Sequence, residues 1–210
     1  MTGNLWTMSL VEITGTIHLV RHGNVENPKA VLYGRLPGFR LSELGRRQAE
    51  EAGERLAEAN VTSLWASPLE RAQETAEAIA RHHDAPIVTD DRLLESGTRF
   101  EGIKKSPMTF LMDPRNWWKM RNPLKPSWGE TFAQIGERML SVIAEASNTA
   151  AGGEIVLVAH QTPVVVVRNT MSGKWGPPWL GGTRCETGSI TTMVMEEGRL
   201  VSASYFVPST

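Results

Sequence analysis

The sequence predicts an α/β fold, a three-layer α/β/α sandwich on a mostly parallel central sheet. Short apolar runs bounded by Gly, Pro, Asn and Ser alternate along the chain with stretches of helical period. Two of those runs, residues 16–20 (T-I-H-L-V) and 154–159 (E-I-V-L-V-A), are apolar enough to be buried on both faces. A histidine stands just past each run, His22 and His160. Ligands of open α/β sheets bind beyond the carboxyl ends of the strands, so a site is expected there.

The elements follow in order. Residues 1–15 lack the basic start and continuous apolar stretch of a signal peptide and read as a short extension. After the first strand, residues 24–39 are rich in Gly, Pro and Asn and form a long loop. Ser42 caps a helix reaching about Ala59, with Leu44, Gln48, Ala52 and Leu56 at four-residue spacing. Residues 63–66 (S-L-W-A) form a second strand. Ser67-Pro68-Leu69-Glu70 then opens a helix, with Ser67 as cap, Pro68 at the first position and Glu70 closing a capping box. That helix runs to about His82, before a strand near residues 86–89. Residues 91–130, with Trp117, Trp118 and Trp128, show no clean period and read as a lid-like excursion. A helix over 131–146, the strand at 154–159, a helix starting near Pro163 and a hairpin (189–195 and 199–206) turning at Glu197-Gly198 complete one domain, 16–210.

The balance of 22 basic and 23 acidic residues provides no global field for nucleic acid, so any anion must be met by a local cluster. No run approaches the roughly 20 apolar residues that span a bilayer. The single cysteine, Cys185, excludes an intrachain disulfide and suits a reducing, cytoplasmic setting. Exposed tryptophans would offer a face to a second copy, so a homodimer is one expected state.

Beside the two histidines stand Arg21 and, in the first turn of the helix opened by Ser67, Arg71. Two guanidinium groups, two imidazoles and a helix N-terminus suit a dianionic phosphate. A neutral imidazole can attack phosphorus in line, splitting hydrolysis into formation and breakdown of a phosphohistidine. Such a site calls on no metal and no cofactor, but it needs a carboxylic acid to protonate the leaving alcohol.

The ordered set Leu19-Val20-Arg21-His22-Gly23, Gly34-Arg35, Leu41-Ser42-Glu43-Leu44-Gly45 and Ala66-Ser67-Pro68-Leu69-Glu70-Arg71-Ala72 resembles the histidine phosphatase superfamily, also called phosphoglycerate-mutase-like. The resemblance resumes at Leu94-Glu95, Glu101-Gly102, Trp128-Gly129-Glu130-Thr131 and Val156 to His160, with a weaker echo at residues 188–191. It implies the histidine phosphatase-like fold, His22 as the phosphorylated nucleophile, Arg21, Arg71 and His160 as phosphate ligands, and Glu95 as the acid. The implied substrate is a small phosphorylated metabolite.

Three departures matter. Gln161-Thr162-Pro163 follows His160 where two glycines are usual. The interval from Glu95 to Glu101 is one residue short, which leaves Glu101 as a rival acid. Asn24 and Val25 replace the usual glutamate and threonine, making Asn24 and Asn27 candidate phosphate or substrate contacts with Arg35 and Gln161. Arg81-His82-His83-Asp84 suggests a metal site only weakly, since adjacent helical residues do not share a face. Lys104, Lys105, Arg115, Lys119 and Arg121 form either a solvated face or the holder of a second anionic group. The expected activity is phosphomonoester hydrolysis. A mutase of the same family and a weakly catalytic phosphate-binding regulator are the alternatives.

Overall fold

The structure, a computed structural model, describes residues 13–104, 129–174 and 183–209. In chain order the elements are β1 (Gly15–Arg21), α1 (Glu43–Leu56), β2 (Val61–Ala66), α2 (Glu70–Ala80), β3 (Ile87–Thr89), a 3-10 turn (Asp91–Leu93), α3 (Phe132–Thr149), β4 (Glu154–Ala159), α4 (Gln161–Met171), β5 (Ile190–Glu196) and β6 (Arg199–Phe206). The sheet order is β3-β2-β4-β1-β5-β6. The first four strands run parallel, and β5 and β6 are antiparallel to β1 and to each other.

Alternation along the central strands explains the layers, because successive strand side chains point to opposite faces. Ile17, Leu19, Ile155 and Leu157 face α3 and α4, joining Ile135, Met139, Ile143 and Val164 in one core. Val20, Val156, Val158 and Leu64 face the other way, joining Ala52, Leu56, Ala72 and Ile79 of α1 and α2. Burial on both faces is why β1 and β4 read as unbroken apolar runs. The three-layer α/β/α sandwich predicted from the sequence is the fold observed.

The boundaries show where local signals were overridden. The helix expected from Ser67 starts at Glu70, its N-cap Leu69 makes no side-chain cap, and no capping box forms. The Glu70 carboxylate instead accepts the Gly38 N–H at 2.8 Å, and Ser67 turns to a partner across the sheet. At α3 a local cap does form. Thr131 and Gln134 make a reciprocal capping box, worth about 1 kcal/mol. Of the 91–130 excursion, the described parts are the 3-10 turn and two bridges, Val31 with Lys104 and Thr98 with Gly129. Trp117, Trp118, Trp128, Lys105, Arg115, Lys119 and Arg121 lie outside the described residues, as do residues 1–12 of the extension.

Candidate active site

The carboxyl ends of β1, β4 and β2 bring the site together. The ladder continues past the strands, with the His22 N–H donating to Ala159 O at 3.1 Å and the Ser67 N–H to Val158 O at 3.0 Å. His22, Ser67 and His160 are therefore fixed on one line by the last carbonyls of β4. Arg21 is tied on the other side, its N–H to Ser189 O, while the Gly188 N–H reaches the Arg21 and His22 carbonyls.

His22 is 1% exposed. Its Nδ1 lies 2.8 Å from Gly23 O, an acceptor only, so Nδ1 carries the proton and Nε2 presents a lone pair. The Arg71 Nε–H donates to that Nε2 at 3.3 Å. Arg71 is wholly buried, its Nη2 donates to Gly34 O at 2.7 Å, and its guanidinium lies 4.8 Å from the Tyr33 ring centre. Burial lowers the Arg71 pKa, and the charges of Tyr33, Glu95 and Glu70 work against that shift. The Thr75 hydroxyl accepts the Gly23 N–H at 3.2 Å and donates to Arg71 O at 2.8 Å, tying the nucleophile's loop to α2.

The nucleophile's loop sits unusually close to the start of α1. A Cβ on Gly45 would meet Asn24 O at 1.9 Å, and one on Gly23 would meet Gly45 O at 2.3 Å. Only glycine permits this approach.

His160 is wholly buried, its ring centre 5.0 Å from that of His22, and its Nε2 is 2.8 Å from Ser67 Oγ. Burial, then the neighbouring His22, Arg71, Arg138 and Arg21, hold its imidazole well below the usual histidine range, so it is neutral near pH 7. Arg21 Nη1 donates to Cys185 O at 2.5 Å. Among the described residues, three buried nitrogens around His22 have no hydrogen-bond partner: the guanidinium donors Arg21 Nε and Arg71 Nη1, and His160 Nδ1. An anion with several oxygens is the ligand such atoms fit. Among the described residues no three His, Cys, Asp or Glu side chains are grouped as a metal ion requires, and this includes His82, His83 and Asp84.

The other sequence candidates fall into different positions. Glu95 is half-buried and near enough for its charge to act on Arg71 and Cys185. Its Oε1 accepts the Ser96 N–H at 2.7 Å. Glu101 instead accepts the Arg35 N–H at 2.7 Å and lies against Gly34. Arg35 holds the Glu95 carbonyl through Nε at 2.6 Å and pairs with Glu130 at 3.2 Å. Glu130 also binds Arg138 at 2.8 Å. Beside this clamp lies a cavity of about 590 Å³ lined by Arg35, Gly97, Thr98, Arg99, Glu130 and Gln134, among others.

Asn24 and Asn27 are engaged in holding the loop. Asn24 Oδ1 accepts from Ser42 Oγ at 2.8 Å, and both polar ends of Asn27 bind Val31. Gln161 is exposed at the first position of α4. Cys185 is buried, which pushes its thiol up to about 11. Ser67, Thr75, Tyr33, Glu130 and Arg138 complete the site without having been singled out for it. Thr75 carried a usable signal, since it lies one helical turn from Arg71 on the same face.

Comparison with known proteins identifies the family and the fold. The family model of the histidine phosphatase superfamily (branch 1) matches residues 17–207. An uncharacterized protein of Mycobacterium tuberculosis (strain ATCC 25618 / H37Rv) is 43% identical over 196 residues, covering 92% of this chain and 96% of its own length. A 2,3-bisphosphoglycerate-dependent phosphoglycerate mutase of Thermoplasma acidophilum is 29% identical, covering 88% and 89%. Phosphoserine phosphatase 1 of Hydrogenobacter thermophilus is 28% identical, covering 87% and 88%. In fold, the chain superposes on a mycobacterial glucosyl-3-phosphoglycerate phosphatase with a TM-score of 0.75 at 22% identity, covering 92% of this chain and 98% of that one. The chain belongs to the histidine phosphatase superfamily, branch 1.

Proposed function

We propose that the protein hydrolyses phosphomonoesters of small metabolites through a phosphohistidine formed on His22. The observation that carries this reading is the set of unpaired buried atoms, Arg21 Nε, Arg71 Nη1 and His160 Nδ1, around a histidine whose Nε2 carries a lone pair. Their guanidinium and imidazole groups neutralise and orient the equatorial oxygens, which is most of what phosphoryl transfer asks of a protein.

In the first step His22 Nε2 bonds to phosphorus as the bond to the leaving oxygen breaks. Glu95 gives its proton to that oxygen. In the second step Glu95, now a carboxylate, takes a proton from water while the water oxygen bonds to phosphorus. The P–N bond breaks and inorganic phosphate leaves. Glu95 suits the acid's role because it stands near enough for its charge to act on Arg71, whereas Glu101 lies against Gly34. No step uses a metal ion. The proposed setting is the cytoplasm.

A phosphoglycerate-mutase-type transfer is the second reading, favoured by the Thermoplasma acidophilum relative. Against it, Glu95-Ser96-Gly97-Thr98-Arg99 stands where such mutases carry an E-R-x-Y-G run. The deciding experiment is p-nitrophenyl phosphate turnover at mildly acid pH in chelator-treated buffer, beside a 3-phosphoglycerate mutase assay. Turnover lost on His22→Ala, without mutase activity, is the expected result. Tight phosphate binding without turnover would leave the regulatory alternative.

A further inference from the structure

His160 is the N-cap of α4, yet its side chain makes no cap bond. One reason lies three residues on. An N-cap side chain accepts from the N–H of the second or third helical residue, and here the third is Pro163, which has none. The imidazole is left to turn toward the end of β2, where it meets Ser67 Oγ at 2.8 Å. Ser67 is wholly buried, and its backbone atoms are occupied elsewhere, N–H to Val158 O and carbonyl to Gln73 Nε2 at 2.7 Å. The Leu69 N–H points at Ser67 Oγ from 3.5 Å. With a donor already directed at its oxygen, the hydroxyl is best satisfied by sending its one proton to His160 Nε2.

We propose that Ser67 is a positioning residue that fixes His160 as the neutral tautomer with its proton on Nδ1, making it an uncharged donor to a phosphoryl oxygen. This rests on the phosphatase reading of the site and adds the protonation state of one member. Nδ1 is the buried ring nitrogen without a partner, on the edge of the ring away from Ser67. The opposite tautomer would turn a lone pair toward an anion's oxygen and leave the hydroxyl proton without an acceptor on the ring. Protonation is opposed by burial and by the titratable and charged groups around the ring, Arg21 and His22 from the end of β1, Arg71 from α2 and Arg138 from α3. Only the tautomer then decides whether His160 donates.

The test is ¹⁵N NMR of the full chain labelled at histidine, free and with inorganic phosphate, from pH 6 to 8. The His160 signals, assigned by their absence in His160→Gln, are expected to show Nδ1 as the protonated, pyrrole-type nitrogen and Nε2 as pyridine-type throughout. Ser67→Ala should mix or reverse the two, and lower kcat roughly ten- to a hundredfold, less than loss of a whole oxyanion donor brings. Ser67→Thr, which keeps the hydroxyl, should restore the wild-type pattern. An imidazolium, or Nε2–H in the wild-type protein, overturns the proposal whether or not the variants fold. So does an unchanged tautomer in Ser67→Ala. If the wild type shows the expected tautomer but no phosphatase turnover, the functional reading fails and the assignment to Ser67 stands.

Discussion

The Arg71 Nε–H donates to His22 Nε2 at 3.3 Å, while the same guanidinium grips Gly34 O and keeps Nη1 unpaired. One side chain therefore aims the nucleophile, anchors the loop before Arg35 and reserves a donor for phosphate. Lysine cannot reproduce that fork. Arg71→Lys is expected to lower kcat/KM for p-nitrophenyl phosphate by about a hundredfold, near the cost of one oxyanion donor. Its circular dichroism should stay native. A change below threefold would show that Arg71 is structural.

The two candidate acids separate by leaving group. Glu95→Gln should lower kcat by about 10²–10⁴ for an alkyl phosphate such as phosphoserine, the usual contribution of a general acid. It should matter far less for p-nitrophenyl phosphate, whose leaving group departs as a stable anion. Glu101→Gln, which loosens only the Arg35 amide, should raise KM by less than tenfold on both substrates. A leaving-group dependence seen in Glu101→Gln instead would exchange the roles.

Gly45 makes the close approach to Asn24 possible. Gly45→Ala places a methyl against a backbone carbonyl, which cannot swing aside. Overpacking of this kind costs about 1–3 kcal/mol. Thermal unfolding should show Tm falling by several degrees, with turnover reduced because the chain next to His22 moves. An unchanged Tm would mean that the two segments separate freely.

Much of this was legible in the sequence, and the exceptions share a cause. β1 and β4 announced themselves because burial on both faces leaves unbroken apolar runs, and His22 and His160 followed from the strand ends. Ser67 was misread as a helix cap. Its local pattern, Ser-Pro-x-Glu, is a sound capping signal, but the partner that wins it lies 93 residues away in sequence. Glu70 was drawn off in the same manner by Gly38. Asn24, read as a pocket residue, has its Oδ1 engaged by Ser42 Oγ, 18 residues on. Long-range hydrogen bonds leave no mark on local spacing.

Acid stability follows from two buried histidines. His18 and His160 both have folded-state pKa values below 6.5, chiefly because burial penalises the charged ring. The unfolded chain therefore binds more protons as pH falls through 6.5, and stability present above that value is lost below it. Urea midpoints should fall between pH 7 and pH 5. His18→Gln, which removes a group paired with Glu154 at 2.6 Å and outside the candidate active site, should flatten part of that slope. A slope identical to wild type would exclude His18 as a contributor.

The central claim is that phosphorus is carried on His22. The direct measurement is intact-protein mass spectrometry of the enzyme quenched in alkali during turnover, with peptide mapping of any adduct. One phosphoryl group, alkali-stable and acid-labile, is predicted on the peptide containing His22, and none in His22→Ala. Sustained turnover by His22→Ala, or an adduct on any other residue, would contradict the account.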